Sequence, residues 1–546
     1  MPRTSKTAAV AQASTPQELR DLMWKSADKL RGSMDASQYM DFVLGLIFLK
    51  YVSDAFAARR EQLEEELRTD GLLDEEAPAE ERAEMLDDRD EYTSERVFWV
   101  PEAARWDAIA DAAKTGAVGE RIDAAMEAIM AANPELQGAL ATIFNRDNVD
   151  QTRLAGLVDL ISNANFRGLR TENDRSSLDL LGEVYEYFLG QFASAQGKRG
   201  GEFYTPRSVV RTLVEILEPV NGKVYDPCCG SGGMFVHSEE FVEHAGGQFL
   251  MEEGREAAIS VYGQELNERT WRLARTNLAI HGIFGNVGDR WGDTFSEDRH
   301  PTLRADYILA NPPFNVKDWA RNTEDSRWRF GVPPARNANY AWLQHIWSKL
   351  AEGGMAGVVL ANGSMSSNTG GEGEIRQAMV DADTVAAMIA LPGNLFRGSA
   401  IPVCLWILAK DKSAGRKGAK GREQKVLFID ARNLGTMINR VERVFSDEDI
   451  QKIAKTWRRW RGTKSAEDLP EYGDETGFCY SATLNEIAEQ GYSLTPGRYV
   501  GSAEATEDHE PLEEKISRLK NELLEQMAES ERLAEVVRAE LEKVNG

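Results

Sequence analysis

The stretch "ANPPFN", Ala310 to Asn315, places an amide, two prolines and an aromatic ring directly after the apolar run "ADYILA". Proline has no backbone donor and a fixed φ, so two prolines in succession end a strand and hold the next residues rigid. The segment suits a simple strand-terminating loop. It also suits a site where the Asn311 amide oxygen, a backbone carbonyl and the Phe314 ring surround a flat group that carries an amino nitrogen. The surrounding segments decide between these interpretations.

A second candidate site is the glycine-rich turn "VYDPCCGSGGM", in which Asp226 ends a predicted strand. Its glycines allow the backbone to approach a ligand closely, and the N-terminus of the following helix adds positive potential. In a doubly wound sheet, this loop lies at the carboxyl ends of the strands, where ligands bind. The spacing is neither the GxGxxG dinucleotide fingerprint nor a phosphate loop, because no Lys follows. Alone, the turn is equally compatible with a structural role.

Two more acidic residues follow at the next strand-to-helix turns. Glu265, in "YGQELN", closes the second predicted strand and is well placed for the two hydroxyls of a ribose. Asp293, in "GDTF", is placed to accept a hydrogen bond from an adenine amino group. Together with Asp226, these residues predict a nucleoside pocket, and "ANPPFN" at the end of the fourth strand borders it.

The elements that must position these residues change in type near Gly200. Residues 1 to about 165 are predicted to be helical, because segments such as "SQYMDFVLGLIFLKYVSDAF" carry apolar residues at helical spacing. Later, short apolar runs alternate with helical patterns, which is typical of an α/β fold with a mostly parallel sheet. The predicted strands are "KVYD", "ISVYGQE", "ADYILANPPF", "GMAGVVLANG", "TVAAMIALPG", "IPVCLWILAK" and "KVLFID".

Near the C-terminus, a polar linker at 501–511 precedes a predicted amphipathic helix of coiled-coil type. Its apolar positions recur every three or four residues, with one serine among them: Leu512, Ile516, Leu519, Leu523, Met527, Ser530, Leu533 and Val537. The helix either packs on its own domain or binds a partner helix. Because the stripe is long and lies at a terminus, binding to a partner helix is at least as well supported as packing on its own domain.

The overall composition predicts a multidomain cytoplasmic protein. A chain of 546 residues with 42% hydrophobic and 28% charged residues is too long for one core. It has no apolar run of the ~18 residues that a membrane span needs, and its start lacks a signal-peptide core. The four cysteines have no His at ligand spacing, so we expect reduced thiols and no metal site. Cys228 and Cys229 are interpreted as small buried residues.

The net charge of −25 is unevenly distributed. From Glu61 to Glu91, fifteen acidic residues face three arginines, whereas "KDKSAGRKGAKGREQK" (410–425) has seven cations against two acids. "KTWRRWRGTK" (455–464) has five cations and no acid, and it is interpreted either as a phosphate contact or as solvated surface. Global acidity therefore does not exclude local contact with nucleic acid.

Asp-Pro-x-x-Gly-x-Gly-Gly followed by Asn-Pro-Pro-Phe resembles the amino-methyltransferases that use S-adenosylmethionine. "GEFYTPRSVV", "RFGVPPARNANYAWLQHI", "LPGNLFRGSAIPVCLWIL" and "YSLTPGRYV" resemble the modification (methyltransferase) subunit of type I DNA restriction–modification systems. The similarity covers roughly Met34 to Val500. It implies a Rossmann-like methyltransferase sheet that transfers a methyl group to N6 of adenine in a DNA site read by a separate specificity subunit.

By this resemblance, the Asn311 oxygen and the Pro312 carbonyl bind the amino group, and Phe314 stacks on a base that has left the duplex. The implied catalytic residues are Asn311, Pro312, Pro313 and Phe314. "EFYTPR" is expected over the methionine end of the cofactor. The residues expected at the cofactor are Glu202, Phe203, Tyr204, Thr205, Pro206, Arg207, Asp226, Gly230, Ser231, Gly232, Glu265 and Asp293.

The implied partners are double-stranded DNA with a flipped adenine, a specificity subunit, a second modification subunit and, where one exists, a restriction subunit. The expected organisation is a helical domain (1–165), a catalytic domain (166–435), an extension (436–500), and a linker with a helix for subunit contact (501–546). The helical domain is a second candidate for those contacts.

Alternatives to this reading stay open. The same motif serves N4-cytosine and protein-glutamine methylation, although the helical domain and the segments after Phe314 favour DNA adenine. A non-catalytic cofactor-binding scaffold is disfavoured because Asn311, Pro312 and Phe314 are all intact. A stand-alone methyltransferase would bind DNA selectively without a partner. A segment rich in aromatic residues either lines a DNA groove or, as we prefer, forms a core helix. Its residues in question are Trp328, Tyr340, Trp342 and His345.

Overall fold

The structure, a computed structural model, describes residues 36–166 and 205–501, with short gaps at 74–77, 96, 147–148, 165, 254–257, 397–399 and 416. It also describes single helical residues within 18–26 and 520–532. Glu202, Phe203 and Tyr204, the linker at 502–511 and most of the expected C-terminal helix lie outside the described residues.

The first of the two long segments is helical, as predicted. Its helices are α1 (Ala36–Thr69), α2 (Ala79–Leu86), α3 (Asp90–Thr93), α4 (Trp106–Ala113), α5 (Val118–Ala132) and α6 (Gln151–Ile161), with 3-10 turns at Glu102–Ala104 and Pro134–Leu136. Val43 and Ile47 of α1 are buried in one core with Ile122 and Ile129 of α5 and Leu157 of α6. The apolar stripe of the sequence therefore faces inward along most of α1, and it holds the helical domain together.

The second segment forms an α/β sandwich. Its strands are β1 (Gly222–Asp226), β2 (Ile259–Gly263), β3 (Gly285–Asn286), β4 (Ala305–Ala310), β5 (Leu350–Ala361), β6 (Val385–Ala390), β7 (Val403–Ala409), β8 (Lys425–Asp430), β9 (Thr436–Met437), β10 (Arg443–Val444) and β11 (Cys479–Thr483). Its helices are α7 (Arg207–Leu217), α8 (Gly233–Glu253), α9 (Glu268–Ile280), α10 (Asn339–Lys349), α11 (Glu372–Asp381), α12 (Asp447–Arg461) and α13 (Leu484–Glu489).

The described strands form one nine-stranded sheet in the order β11-β8-β6-β7-β5-β4-β1-β2-β3, and β9 and β10 form a separate hairpin. All seven predicted strands are present. The sheet is mostly parallel, but β7 runs antiparallel between β5 and β6, and β11 runs antiparallel to β8. Residues 436–500, expected as an extension, therefore contribute β11 to the same sheet.

Two helical layers bury the sheet. Residues of α7, α8, α9 and α12 share one core with the strands, and residues of α10, α11 and α13 share the core on the opposite face. Strand β7 shows the consequence, since Leu405 and Ile407 belong to the first core while Cys404 and Trp406 belong to the second. A strand that is buried on both faces is apolar throughout, and these strands can therefore be recognised in the sequence as continuous apolar runs.

The sheet topology places a crevice between β1 and β4. From β1 the chain winds outward through β2 and β3, and then it returns to β4 on the other side of β1. The strand order reverses at this point, and ligands of doubly wound sheets bind at the carboxyl ends of the strands there. Asp226 ends β1 and Asn311 directly follows β4, so both flank the crevice.

The basic segment 455–464 is largely internal. Trp457 and Trp460 are buried, Arg458 forms ion pairs with Glu215 and Glu218, and buried Arg461 donates to backbone carbonyls. For Arg458 and Arg461, both interpretations, a phosphate contact and a solvated surface, are therefore wrong. The two arginines attach α12 to α7 and to the loop before β8.

We expect Arg458→Ala to lower the free energy of unfolding by about 3–5 kcal/mol, because it leaves Glu215 and Glu218 poorly solvated without a cation. Lys455→Ala, an exposed position on the same helix, is the control and should change it by at most about 0.5 kcal/mol. Urea titration followed by tryptophan fluorescence gives both values. Equal effects of the two substitutions would show that the buried ion pairs do not stabilise the domain.

Candidate active site

Backbone hydrogen bonds join the turns after β1 and β2 into one floor of the crevice. The amide of Gln264 donates to the Asp226 carbonyl at 3.0 Å, and the amide of Cys229 donates to the Gln264 carbonyl at 2.9 Å. The parallel register continues to the strand ends, where Asp226 lies opposite Gly263. Residues that follow the two strands are therefore brought together, as the sequence predicts.

The glycine-rich turn contains two residues in the left-handed region, Gly230 with φ 55° and Gly232 with φ 84°. A side chain at either position would strain the backbone. The Asn277 side chain donates to the Ser231 carbonyl at 3.0 Å and holds the turn against α9. A Cβ atom on Gly233, where α8 begins, would meet no described atom within 4 Å. The turn is thus held on the side that faces α9, and the space beside Gly233 is open.

The Asp226 carboxylate is buried and accepts a hydrogen bond from the Cys228 amide at 2.9 Å. Burial, with a smaller contribution from the charge of Glu265, raises the pKa of Asp226 to about 7. Burial also raises the pKa of Cys228 and Cys229 well above the ordinary thiol value. Both cysteines are therefore thiols at neutral pH, and Cys229 is buried as predicted, whereas Cys228 is only partly buried. Asp226 acts on the shape of the turn.

Glu265 lies two residues beyond β2 and bridges two turns. One carboxylate oxygen accepts from the Gly230 amide at 3.1 Å, and the other accepts from the Asn267 amide at 2.9 Å. Burial raises the pKa of Glu265. Each oxygen keeps a free lone pair, so the carboxylate can accept from two adjacent hydroxyls without losing its position.

The helical domain contacts α9 close to this acid. Asn267 caps α9, and two residues further Arg269 forms an ion pair with Asp41 of α1 at 2.8 Å. Arg275 of the same helix donates to the Glu135 carbonyl at 2.9 Å. The N-terminal domain is thus connected, through α9, to the element that carries Glu265.

Asp293 lies beside Glu265, because the Gly292 amide donates to the Glu265 carbonyl at 2.8 Å. The Asp293 carboxylate accepts from the Phe295 amide at 2.9 Å and thereby closes its own turn. The next residue, Thr294, donates to the Pro227 carbonyl at 2.6 Å and joins this turn to the glycine-rich one. The three predicted acids therefore share one crevice.

Two exposed apolar side chains flank these acids and were missed by the sequence analysis. Leu266 is 65% exposed directly after Glu265, and Trp291 is 38% exposed two residues before Asp293. An apolar side chain beside a ribose-binding acid offers a surface to a flat base. Their position next to the acids could have identified them. Apolar residues near strand ends are usually core residues, however, so the sequence did not indicate that they are exposed.

The side-chain amide of Asn311 faces Thr205 through its nitrogen. Its nitrogen donates to the Thr205 hydroxyl at 3.0 Å, and its oxygen is buried with no hydrogen-bond partner among the described residues. An unpaired buried acceptor costs about 1–3 kcal/mol, which a native structure rarely leaves without a function. The donor side of the amide is used within the protein, and the acceptor side is available to a ligand.

The rest of "ANPPFN" is held by aromatic and amide contacts. The Phe314 ring is half-buried and meets Phe396 edge to face, with ring centroids 6.1 Å apart. Asn315, at φ 55°, exchanges two hydrogen bonds of 2.9 and 3.0 Å with Asn339 at the start of α10. The segment is fixed by Thr205 before it and by Asn339 after it, and this supports the interpretation as a site.

Of the predicted cofactor segment "EFYTPR", the structure describes Thr205, Pro206 and Arg207. Thr205 contacts Asn311, and Pro206 precedes the first turn of α7. Arg207 forms an ion pair with Glu240 of α8 at 3.6 Å. Of these three residues, only Thr205 forms a hydrogen bond with another predicted site residue in the described part of the chain.

The aromatic segment before β5 belongs to the core. Trp328, Tyr340, Trp342 and His345 are all buried. His345 lies between the Tyr225 hydroxyl at 3.3 Å and an Arg327 nitrogen at 3.0 Å, and burial lowers the pKa of His345 to about 3. The preferred core interpretation is confirmed, and a DNA groove at these residues is wrong.

Two family models match the chain. The N-6 DNA Methylase model matches residues 176–508, and the HsdM N-terminal domain model matches residues 19–162. The type I restriction enzyme HindI methylase subunit of Haemophilus influenzae is 43% identical over 81% of this chain and 99% of the relative. The MjaIX methylase subunit of Methanocaldococcus jannaschii is 38% identical over 95% of this chain and 90% of the relative.

A solved structure agrees with these relatives. The type I restriction–modification system methyltransferase subunit from Streptococcus thermophilus superposes with a TM-score of 0.69 at 25% identity. It covers 89% of this chain and 100% of its own. The similarity therefore spans both the helical domain and the sheet.

We expect Thr205→Val to lower the rate of methyl transfer by about 10- to 100-fold, because the Asn311 amide loses the acceptor that orients it, at a cost of about 1–3 kcal/mol. Thr205→Ser keeps the hydroxyl and should stay within about threefold of the wild-type rate. Single-turnover kinetics at saturating cofactor separate this effect from cofactor binding. If the serine and valine variants lose activity alike, the hydroxyl does not orient Asn311.

Proposed function

Because the chain belongs to the N-6 DNA methylase family, as a methylase subunit of a type I restriction enzyme, we propose that Asn311 binds the target amino group. The reaction is the transfer of a methyl group from S-adenosylmethionine to N6 of adenine in DNA. The family match favours this acceptor over cytosine N4 and protein glutamine. It also argues against a scaffold without activity.

The observation that carries the proposal is the buried oxygen of Asn311, which has no hydrogen-bond partner among the described residues. With the amide nitrogen bonded to Thr205, this oxygen accepts a hydrogen bond from the exocyclic NH₂ of adenine. The Pro312 carbonyl, one residue further, is the second acceptor. Two such hydrogen bonds draw the nitrogen lone pair out of conjugation with the ring and direct it towards the methyl group.

Phe314 supplies the stacking surface for the extruded base. The amino group of a paired adenine is inaccessible, so the base must leave the helix, at a cost of a few kcal/mol. Stacking on an aromatic ring contributes about 1–3 kcal/mol. Phe396 meets Phe314 edge to face and keeps it in place. The free energy of stacking is similar in size to the cost of extrusion, so stacking on Phe314 offsets much of that cost.

The crevice residues fit S-adenosylmethionine, which supplies the transferable methyl group. With the cofactor bound, the two oxygens of Glu265 would accept hydrogen bonds from the ribose hydroxyls, and Leu266 and Trp291 would offer apolar contact to the adenine ring. The open backbone of Gly230, Ser231 and Gly232 accommodates the middle of the molecule. Positioning of the two reactants and the fixed dipoles of the site supply the rate enhancement, with no covalent intermediate on the protein.

Several expectations remain parts of this proposal. Asp293 is assigned to the adenine amino group of the cofactor, and Glu202, Phe203, Tyr204, Pro206 and Arg207 are assigned to its methionine end. The proposed organisation is a helical domain at 1–165, a catalytic domain at 166–435 whose extension at 436–500 adds β11 to its sheet, and a linker with a helix at 501–546. Asp226 is assigned to the shape of the glycine-rich turn.

The chain acts as one subunit of a larger enzyme. Methylase subunits of type I systems work with specificity and restriction subunits on DNA, and we propose a second copy of this chain in the assembly. A separate sequence-reading subunit explains how a chain with a net charge of −25 methylates DNA. No helix in the described part of the chain has the length and apolar composition of a membrane span. We propose that it acts on DNA in the cytoplasm.

We expect Asn311→Ala to reduce methyl transfer by the assembled enzyme by about 100- to 1000-fold, as for loss of one preorganised polar group. Cofactor affinity should stay within about threefold, because the affected hydrogen bonds reach the base. Calorimetric titration with S-adenosylmethionine and a tritiated-methyl assay give the two quantities. Loss of cofactor affinity together with activity would contradict the assigned role.

The predicted helix at 512–546 is our candidate for contact with the specificity subunit. Met527, on its apolar stripe, is helical and 54% exposed. Deletion of 512–546 should reduce co-purification with that subunit at least tenfold while cofactor binding is retained. Unchanged co-purification would move the contact to another surface.

A further inference from the structure

The hairpin of β9 and β10 carries an exposed apolar tip. Met437, Ile438 and Val441 are 38%, 58% and 60% exposed, and Arg440 between them is exposed as well. Three exposed apolar side chains lie within five residues of one hairpin, and contiguous exposed apolar surface is typical of interaction sites. The sequence analysis gave this segment no function.

The hairpin lies at the active-site edge of the sheet. It follows β8, which runs parallel to β6, and the Arg443 amide of the hairpin donates to the Asn394 carbonyl at 2.8 Å. Asn394 lies in the loop after β6, two residues before Phe396, whose ring contacts Phe314. The base of the hairpin is therefore connected to the ring that we assign to the target adenine.

The tip is ordered by its own hydrogen bonds. The Ile438 amide donates to the Glu442 carbonyl at 3.0 Å, and the Val441 amide donates to the Asn439 side chain at 2.9 Å. Arg443 donates to the Leu434 carbonyl at 2.9 Å and fixes the base. Because the tip is already in one conformation, little ordering entropy opposes its binding.

We propose that Ile438 and Val441 form a wedge that enters the base stack of DNA beside the target adenine, with Arg440 on an adjacent phosphate. This inference rests on the proposed function. Apolar wedges unstack base steps and stabilise distorted duplexes. Three residues of strand from Arg443 reach roughly 10 Å, more than the ~8 Å depth of a DNA groove.

DNA fits this surface better than a protein partner does. The tip combines apolar side chains with a cation in a chain that is acidic overall, and the single acid of the hairpin, Glu442, bonds the Asn439 side chain.

The test uses the enzyme assembled with its specificity subunit and two duplexes. One carries the target adenine opposite thymine, and the other carries it opposite an abasic site, where extrusion is cheap. The double variant Ile438→Ser/Val441→Ser should lose at least tenfold in kcat/KM on the paired duplex and less than threefold on the abasic duplex. Phe284→Ser, 76% exposed beside β3 at the other end of the sheet, is the control and should change neither value.

Each other outcome is informative. Equal loss on both duplexes, or no loss on the paired one, would overturn the wedge while leaving the proposed function intact. Loss of co-purification with the specificity subunit would make the hairpin a subunit contact and also overturn the wedge. A wild-type assembly that methylates neither duplex would overturn the proposed function and the inference together.

A second variant tests the phosphate contact. Arg440→Gln should reduce the slope of log Kd against log salt concentration by about one, as expected for one lost phosphate contact. An unchanged slope would remove Arg440 from the DNA interface.

Discussion

The hydrogen bond from the Asn311 amide to Thr205 determines what the site can do. It commits the nitrogen of Asn311 to the protein and leaves the buried oxygen as an acceptor without a partner in the described part of the chain. A freely rotating amide would offer donor and acceptor equally. A fixed one selects a ligand that donates, such as an amino group. In the function that we propose, one orientation of Asn311 both selects the acceptor group and activates its nitrogen.

That orientation depends in turn on the sheet. Asn311 leaves β4, Asp226 ends β1, and the reversal of strand order between these strands opens the crevice that the two residues border. Glu265 then fixes the glycine-rich turn through the Gly230 amide, and the ion pair of Arg269 with Asp41 attaches the same region to the helical domain. These contacts attach the helical domain, through α9, to the crevice proposed for the cofactor.

The sequence predicted the strands and the placement of the acids, because doubly buried strands are continuous apolar runs and paired prolines mark a strand end. It could not predict contacts between distant residues. Thr205 lies 106 positions from Asn311, and Arg458 lies 243 positions from Glu215, so a basic surface was expected where buried ion pairs occur. Leu266 and Trp291 were missed because exposure, unlike residue type, is a property of the folded chain.

We propose that the crevice methylates the amino group of adenine. The most direct measurement is mass spectrometry of nucleosides and peptides after the assembled enzyme has acted on DNA with a cofactor that carries a deuterated methyl group. We expect label in N6-methyladenine, and only when the specificity subunit is present. Label in N4-methylcytosine or in a protein glutamine would contradict it.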